Sequence, residues 1–242
     1  MNERSQKFCL YLGIAFPFTF FLGWGLVSGY MLPLPSPHDS ASEYVQFYRD
    51  NTTAIRVGLI ITIAAASFQA PFFALIGTHM RRVEGKHSAL SYGQMMLGSA
   101  GVLLVIIPCF VWAACAFRPF AHSPDTLMMM SDFGWLMFIG AFSPAVLQNI
   151  CLGICILSDK REKPIFPRWV GYFNLWAATL FLPGAIVVIA HSGPFAWNGL
   201  MAFWVPATVF GGWFIVMFVV MKKVIADQVA ELRSAPAELQ PA

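Results

Sequence analysis

Residues 93–117 read GQMMLGSAGVLLVIIPCFVWAACAF, twenty-five positions without one charged side chain. About 20 apolar residues in a helix, rising about 1.5 Å each, cross the hydrocarbon core of a bilayer. A helix also pairs its own backbone N–H and C=O groups, which lipid requires because it offers no partner. Residues 93–117 therefore read as a membrane span. Working outward, five more stretches qualify: Phe8–Leu32, Val57–Met80, Phe133–Leu157, Trp169–Ala190 and Trp197–Met221. The first is too long for a cleaved leader and lacks a small-residue cleavage site, so it reads as a retained anchor. The predicted fold is an all-α polytopic membrane protein, one transmembrane domain over residues 1–242 built as a bundle of six helices. The polar tail, residues 228–242, has little to bury and is expected to fray.

Composition agrees. Of the 242 residues, 58% are hydrophobic and 11% charged, against about 45–50% and about 25% in a soluble domain. Soluble, disordered and coiled-coil readings are excluded. The net charge is +3, and the basic residues form no patch interleaved with aromatics, so nucleic acid is not an expected partner. The five cysteines all fall in apolar runs without metal-ligand spacing. Cys151 and Cys155, four residues apart, read as small buried apolar side chains.

Six spans put both termini on one side, and charge chooses which. Arg4, Lys7, Arg81, Arg82, Lys86, Lys160, Arg161, Lys163, Arg168, Lys222, Lys223 and Arg233 share the termini's side. Only Arg49, Arg56 and Arg118 lie on the other. Basic loops stay in the cytoplasm, so the expected location is a cell membrane with N- and C-termini cytoplasmic. On the outer side, Pro33, Pro35 and Pro37 stiffen the exit from the first span. Ser40-Ala41-Ser42-Glu43 then has capping-box spacing. It predicts a short outer amphipathic helix with Tyr44, Phe47 and Tyr48 on one face, lying either on the membrane surface as an anchor or over the bundle mouth as a lid, the anchor being the leading reading.

Every span carries an interior proline: Pro17, Pro71, Pro108, Pro144, Pro183 and Pro206. Proline deletes a backbone hydrogen bond and bends the helix, so six kinks either make the bundle bulge around an internal space or merely tune the packing of its helices. Arg56 precedes Pro71 by the interval that separates Arg168 from Pro183, a hint of inverted repeats like those of some secondary transporters. No Lys, Arg, Asp, Glu or His falls at mid-span, which argues against a proton relay. What remains inside is amide: Gln69, Gln148, Asn149 and Asn174. These either bond between helices or orient an apolar ligand in a pocket.

At the outer rim, Asp132 is placed to cap the fourth span and favour its dipole, with Arg118 as a pairing partner, and Trp135 joins an interfacial aromatic belt. The loop histidines His38, His122 and His191 have no shared ligand spacing, so no metal is assigned. Cofactor and catalytic residues stay unassigned as well. The candidate ligand-binding set is Gln69, Gln148, Asn149, Asn174, Asp132 and Trp135. The leading expectation is a protein that binds or carries a small lipophilic molecule within a kinked bundle. The alternatives are a non-catalytic subunit among other membrane subunits, and a membrane enzyme acting on a lipid-soluble substrate. Expected partners are the lipid bilayer with that ligand, or with those subunits.

Overall fold

The computed structural model describes residues 2–234. Among the described residues the chain is helical, without strands. Helix α1 (Glu3–Phe20) widens into a π-helical stretch, Phe21–Val27, and a short helix α2 (Ala41–Asp50) follows. Helices α3 (Thr52–Ala66) and α4 (Gln69–Glu84) make one crossing interrupted at residues 67–68. Helix α5 (Ala89–Phe117) is continuous, whereas α6 (Pro124–Gly140) and α7 (Ser143–Ser158) make a second interrupted crossing. Helix α8 (Arg168–Phe181) tightens into a 3₁₀ stretch, Leu182–Val188. A π-helical turn, Leu200–Trp204, leads into α9 (Val205–Ser234). Among the described residues six helical runs are long and apolar enough to cross a membrane, which fits an integral membrane protein.

The prolines account for most of the irregularity. A proline lacks the N–H that would bond four residues back, and its ring crowds that carbonyl. The break at 67–68 lies just before Pro71, and the one after Gly140 lies just before Pro144. Pro183 stands in the first turn of the 3₁₀ stretch, Pro206 is the second residue of α9, and Pro17 shortly precedes the π-helical stretch. Helix α5 carries its proline, Pro108, inside one continuous α-helix. The two crossings that share the Arg–Pro interval do not break alike: one splits into two α-helices, the other changes to 3₁₀.

Helix α5 is capped at both ends by the crossing before it. Glu84 accepts hydrogen bonds from the backbone of Leu90 and Ser91 (3.0 and 2.7 Å) and from the Ser91 hydroxyl. At the far end Arg56 donates to the carbonyls of Ala116 and Phe117 at 2.6–3.0 Å. A carboxylate at the N-terminus and a guanidinium at the C-terminus satisfy orphan backbone groups and complement the helix dipole.

Several sequence expectations change here. The fourth crossing starts at Pro124, with Ser123 as its cap accepting from the Thr126 N–H (3.3 Å). Asp132 therefore lies inside α6 and does not cap it. No ion pair joins Asp132 to Arg118 among the described residues; the Arg118 guanidinium lies over the Phe117 ring. The first crossing ends at Val27 rather than Leu32, and the chain turns at Gly29, whose φ is +73°. Residues 228–234, expected to fray, continue α9. The Gln6 amide bonds Gln228 (3.2 Å), and Arg82 bonds Glu231 (3.0 Å). The same Gln6 meets buried His79 (2.9 Å), whose other ring nitrogen faces Arg82 (3.2 Å), so α1, α4 and α9 are laced together. Residues 235–242 lie outside the described residues.

Helix α2 forms where the capping box predicts. The Ser40 oxygen accepts from the Glu43 N–H, and the Glu43 carboxylate accepts from the Ser40 N–H. That backbone bond first, then the Ser40 hydroxyl, holds the Glu43 carboxyl below its usual range. The aromatic face differs from the surface-anchor expectation because it turns into the protein: Tyr44, Val45 and Tyr48 are buried. Tyr30 donates to the Tyr48 hydroxyl (3.0 Å), which donates to Ser131 on α6 (3.1 Å).

Candidate cavity at the helix breaks

The interrupted crossings meet around one cavity of about 180 Å³. Each interruption contributes to its wall. Phe20 and Phe21 come from the α1 junction, Gln69 from the start of α4, and Ala141 and Phe142 from the α6–α7 break. Phe181 and Gly184 flank the tightening of α8, and Phe203, Pro206 and Ala207 flank the start of α9. Irregular backbone at membrane depth is tolerated where it is buried in protein or lines a cavity.

The wall is mostly apolar and rich in aromatic side chains, and no charged side chain is part of it. Its polar atoms belong to Trp24, Gln69, Gln148, Asn149 and Trp213. Gln69 repairs a break: Ala70 bonds back only to Ser67, and the Gln69 amide donates to the stranded Ala66 carbonyl (3.1 Å). Asn149 spends its Nδ2 on the Ala145 carbonyl (2.8 Å), and its Oδ1 has no partner. The Gln148 Nε2 and the Trp24 Nε1 are also buried without partners. Gln148, Asn149 and Trp24 are 7%, 4% and 1% exposed, so solvent does not satisfy them. An unmade buried hydrogen bond costs about 1–3 kcal/mol, and the three residues that carry these atoms all belong to the wall of one cavity.

Asn174 stands behind this wall. Its Nδ2 bonds the Val170 carbonyl (2.8 Å), and its Oδ1 accepts from the Trp213 Nε1 (2.8 Å), which fixes Trp213 against the cavity. On the α5 side the lining residues Leu97, Gly101 and Leu104 are half-exposed, one helical face spaced 97, 101, 104. A Cβ added at Gly101 would meet nothing within 4 Å, so the cavity has open space on this flank.

Asp132 and Trp135 lie off the cavity, in an aromatic cluster between it and α2. Trp135 stacks on Trp197 (6.4 Å, 7°) and packs against Trp112 (5.1 Å) and Trp24 (5.8 Å). Such pairs add about 0.5–1.5 kcal/mol each beyond area burial. The cluster closes because Gly134 has no Cβ, which would collide with the Trp112 indole. Asp132 faces Tyr44; burial, then the Asp132 and Asp39 charges, pushes the Tyr44 hydroxyl up, and that hydroxyl donates to the Ser36 carbonyl (3.2 Å). One Asp132 oxygen, the Trp135 N–H and the Gln94 amide are also buried without partners, outside the cavity. Among the described residues no three His, Cys, Asp or Glu side chains gather to hold a metal.

The structure thus brings Gln69, Gln148 and Asn149 together, places Asn174 one layer behind, and separates Asp132 and Trp135. Sequence reasoning missed Trp24 and Trp213. The available signal, for Trp213, was depth: tryptophan favours the membrane interfaces, yet Trp213 sits well inside its span. Compared with known proteins, the chain matches no family model, no curated protein and no solved structure, so the cavity's own geometry carries its functional reading.

Proposed function

We propose that this integral membrane protein binds, and carries, a small lipophilic molecule in the cavity at its helix breaks. The observation that carries the reading is the cavity itself, walled by the helix breaks, with few polar side chains, Gln69, Gln148, Asn149 and two tryptophans, in an otherwise apolar wall. Polar groups that few and that buried are what orient an apolar ligand. An engineered apolar cavity of about 150 Å³ binds benzene, so the volume suits a ring-sized group. The half-exposed α5 flank at Gly101 gives such a molecule a route from lipid. The basic residues gathered on the termini's side support cytoplasmic termini, which makes α2 an outer helix covering the aromatic cluster.

The test is purification in mild detergent followed by mass spectrometry of retained small molecules, with the Gly101→Phe variant in parallel. The expected result is a stoichiometric lipophile on the native protein and at least about a tenfold loss on the variant, whose ring grows into the cavity's open flank. A folded native protein carrying none, and binding none when offered lipophiles, overturns the reading.

A second reading, a non-catalytic subunit of a membrane assembly, draws on α8. Trp169, Tyr172 and Trp176 form an exposed aromatic stripe at 53%, 59% and 56%, a face a neighbouring subunit would cover. A constant partner protein in the same purification, with an empty cavity, favours it.

A further inference from the structure

We propose that the groove between the start of α1 and the end of α9, on the termini's side of the protein, is a binding site for an anionic phospholipid. It shares no residue with the cavity at the helix breaks, so it stands whether or not that cavity holds a ligand.

The groove follows from what the two helices carry where they meet. Gln6 and Gln228 tie α1 to α9 (3.2 Å). Beside that tie α9 presents Ala226 and Ala230, four residues apart and so on one face. Two side chains that small leave a hollow where larger ones would close a seam. Its volume is about 720 Å³, within the range of about 300–1,000 Å³ for ligand clefts. Leu10 and Ile225, each 3% exposed, give it an apolar base.

The rim is basic. Lys7 from α1 and Lys222 and Arg233 from α9 line it with one carboxylate, Glu3. Glu3 accepts from Lys7 (2.6 Å) and lies 4.0 Å from Arg233, so a single carboxylate serves two cations from opposite helices. Lys222 makes no ion pair among the described residues. Neither Asp227 nor Glu231 belongs to the wall, and Glu231 faces Arg82 (3.0 Å) and Lys163 (4.0 Å) instead. Three cations against one carboxylate leave a positive surplus, which a phosphate matches: arginine offers it a fork of donors and lysine a point charge.

The apolar surface beside the rim points to a lipid and not to a free anion. Lys222 is the first charged residue after the uncharged run of the last crossing, which places it at headgroup depth. On the same face of α9, Val219 and Ile215 are 61% and 47% exposed; on α1, Tyr11 and Phe18, seven residues apart, are 57% and 64% exposed. The Tyr11 and Phe218 rings meet (6.0 Å), so the two apolar faces run side by side. A phospholipid engages both parts at once, its phosphate on the cations and its acyl chains along these faces. With cytoplasmic termini, as proposed above, the groove opens in the leaflet that carries anionic lipid.

The test is native mass spectrometry of the full-length protein in mild neutral detergent. It is titrated with palmitoyl-oleoyl phosphatidylglycerol or with phosphatidylcholine of the same chains. Phosphatidylglycerol is expected to bind at least about fivefold tighter, and Lys222→Gln to weaken it about fivefold. Lys223→Gln, the same charge change on an exposed neighbour outside the groove, is expected to leave it unaltered. Lys7→Gln against Arg4→Gln repeats the comparison on α1. Ala226→Phe fills the groove without changing charge and is expected to cost about tenfold. A preference for phosphatidylglycerol with a loss confined to the groove member of either pair upholds the site. Equal binding of the two lipids, or equal losses within both pairs, shows diffuse attraction to a basic surface and overturns it. Displacement of the lipid by inorganic phosphate identifies a free-anion site and overturns the lipid assignment. An unshifted melting temperature without added lipid shows that a variant is folded, and failure of one to fold leaves the others to decide.

Discussion

Gln148→Met separates a side chain kept for packing from one kept for a ligand. Methionine has a similar length, is unbranched and carries no donor, so it fills the same space without the amide. In the empty protein the Gln148 Nε2 is buried and unpartnered, on a residue 7% exposed. Such a group costs about 1–3 kcal/mol. Removing it should stabilise the empty protein by about 1–2 kcal/mol once imperfect repacking is subtracted. For a chain of this size each kcal/mol is worth about 2–4 °C of melting temperature, so a rise of a few degrees is expected in detergent without ligand. With ligand present the sign reverses: native protein gains the ligand's hydrogen bond, the variant does not, and the gap closes or inverts. The assay is a paired melt, native against variant, with and without the retained lipophile. If the empty variant melts lower by an amount equivalent to 1 kcal/mol or more, Gln148 is part of the packing and the argument from unmade hydrogen bonds fails.

Gly134→Ala drives a methyl into the Trp112 indole and should cost about 1–3 kcal/mol by overpacking; an unchanged melting temperature would mean the aromatic cluster is looser than described. Asn174→Leu strands the Trp213 N–H, 2.8 Å from its acceptor, and should destabilise by about 1–3 kcal/mol while altering tryptophan emission; unaltered emission and stability would remove its positioning role. Burial works against ionisation of Asp159, but the Arg161 side chain and then the Ile165 and Arg161 backbone N–H groups outweigh it, and its carboxyl lies below the usual range. A lowered carboxylate stabilises above its unfolded value and loses that contribution as pH falls through the folded one. Hydrogen-exchange protection at the Ile165 N–H, 3.0 Å from Asp159, should therefore hold down to about pH 4 and decline below it. The Asp159→Asn profile should be flat, and an identical decline there would contradict this role.

The sequence was most legible where lipid imposes one rule on every residue. Uncharged runs of sufficient length marked all six crossings, and Ser40 with Glu43 marked the start of α2. The prolines announced irregularity but not its form, because whether a helix bends, widens or stops depends on neighbours that satisfy the freed carbonyls. Gln69 shows this: its amide read as a ligand group, yet one of its bonds serves Ala66. Asp132 was misplaced because Pro124, preceded by Ser123, starts the helix well before the apolar run begins. The direction of the α2 face was hidden for a related reason. An aromatic stripe suits lipid and a protein interior equally, and only Ser131 and Tyr30, distant in sequence, decide between them.

The contact between the first and last helices bears on how the chain is made. Phe16 of α1 packs against Phe210 and Phe214 of α9 (5.8 and 5.1 Å), and Gln6 bonds Gln228 across 222 residues. Ribosomes deliver α1 first and α9 last, so these contacts wait for nearly the whole chain and carry the loop-closure delay of non-local pairing. Phe203, Phe210, Trp213 and Phe214 belong to that last segment and also form one wall of the cavity. Until α9 is inserted, the other walls face lipid. A ligand present in the membrane during synthesis would thus meet a half-built site, and the final helix would close over it.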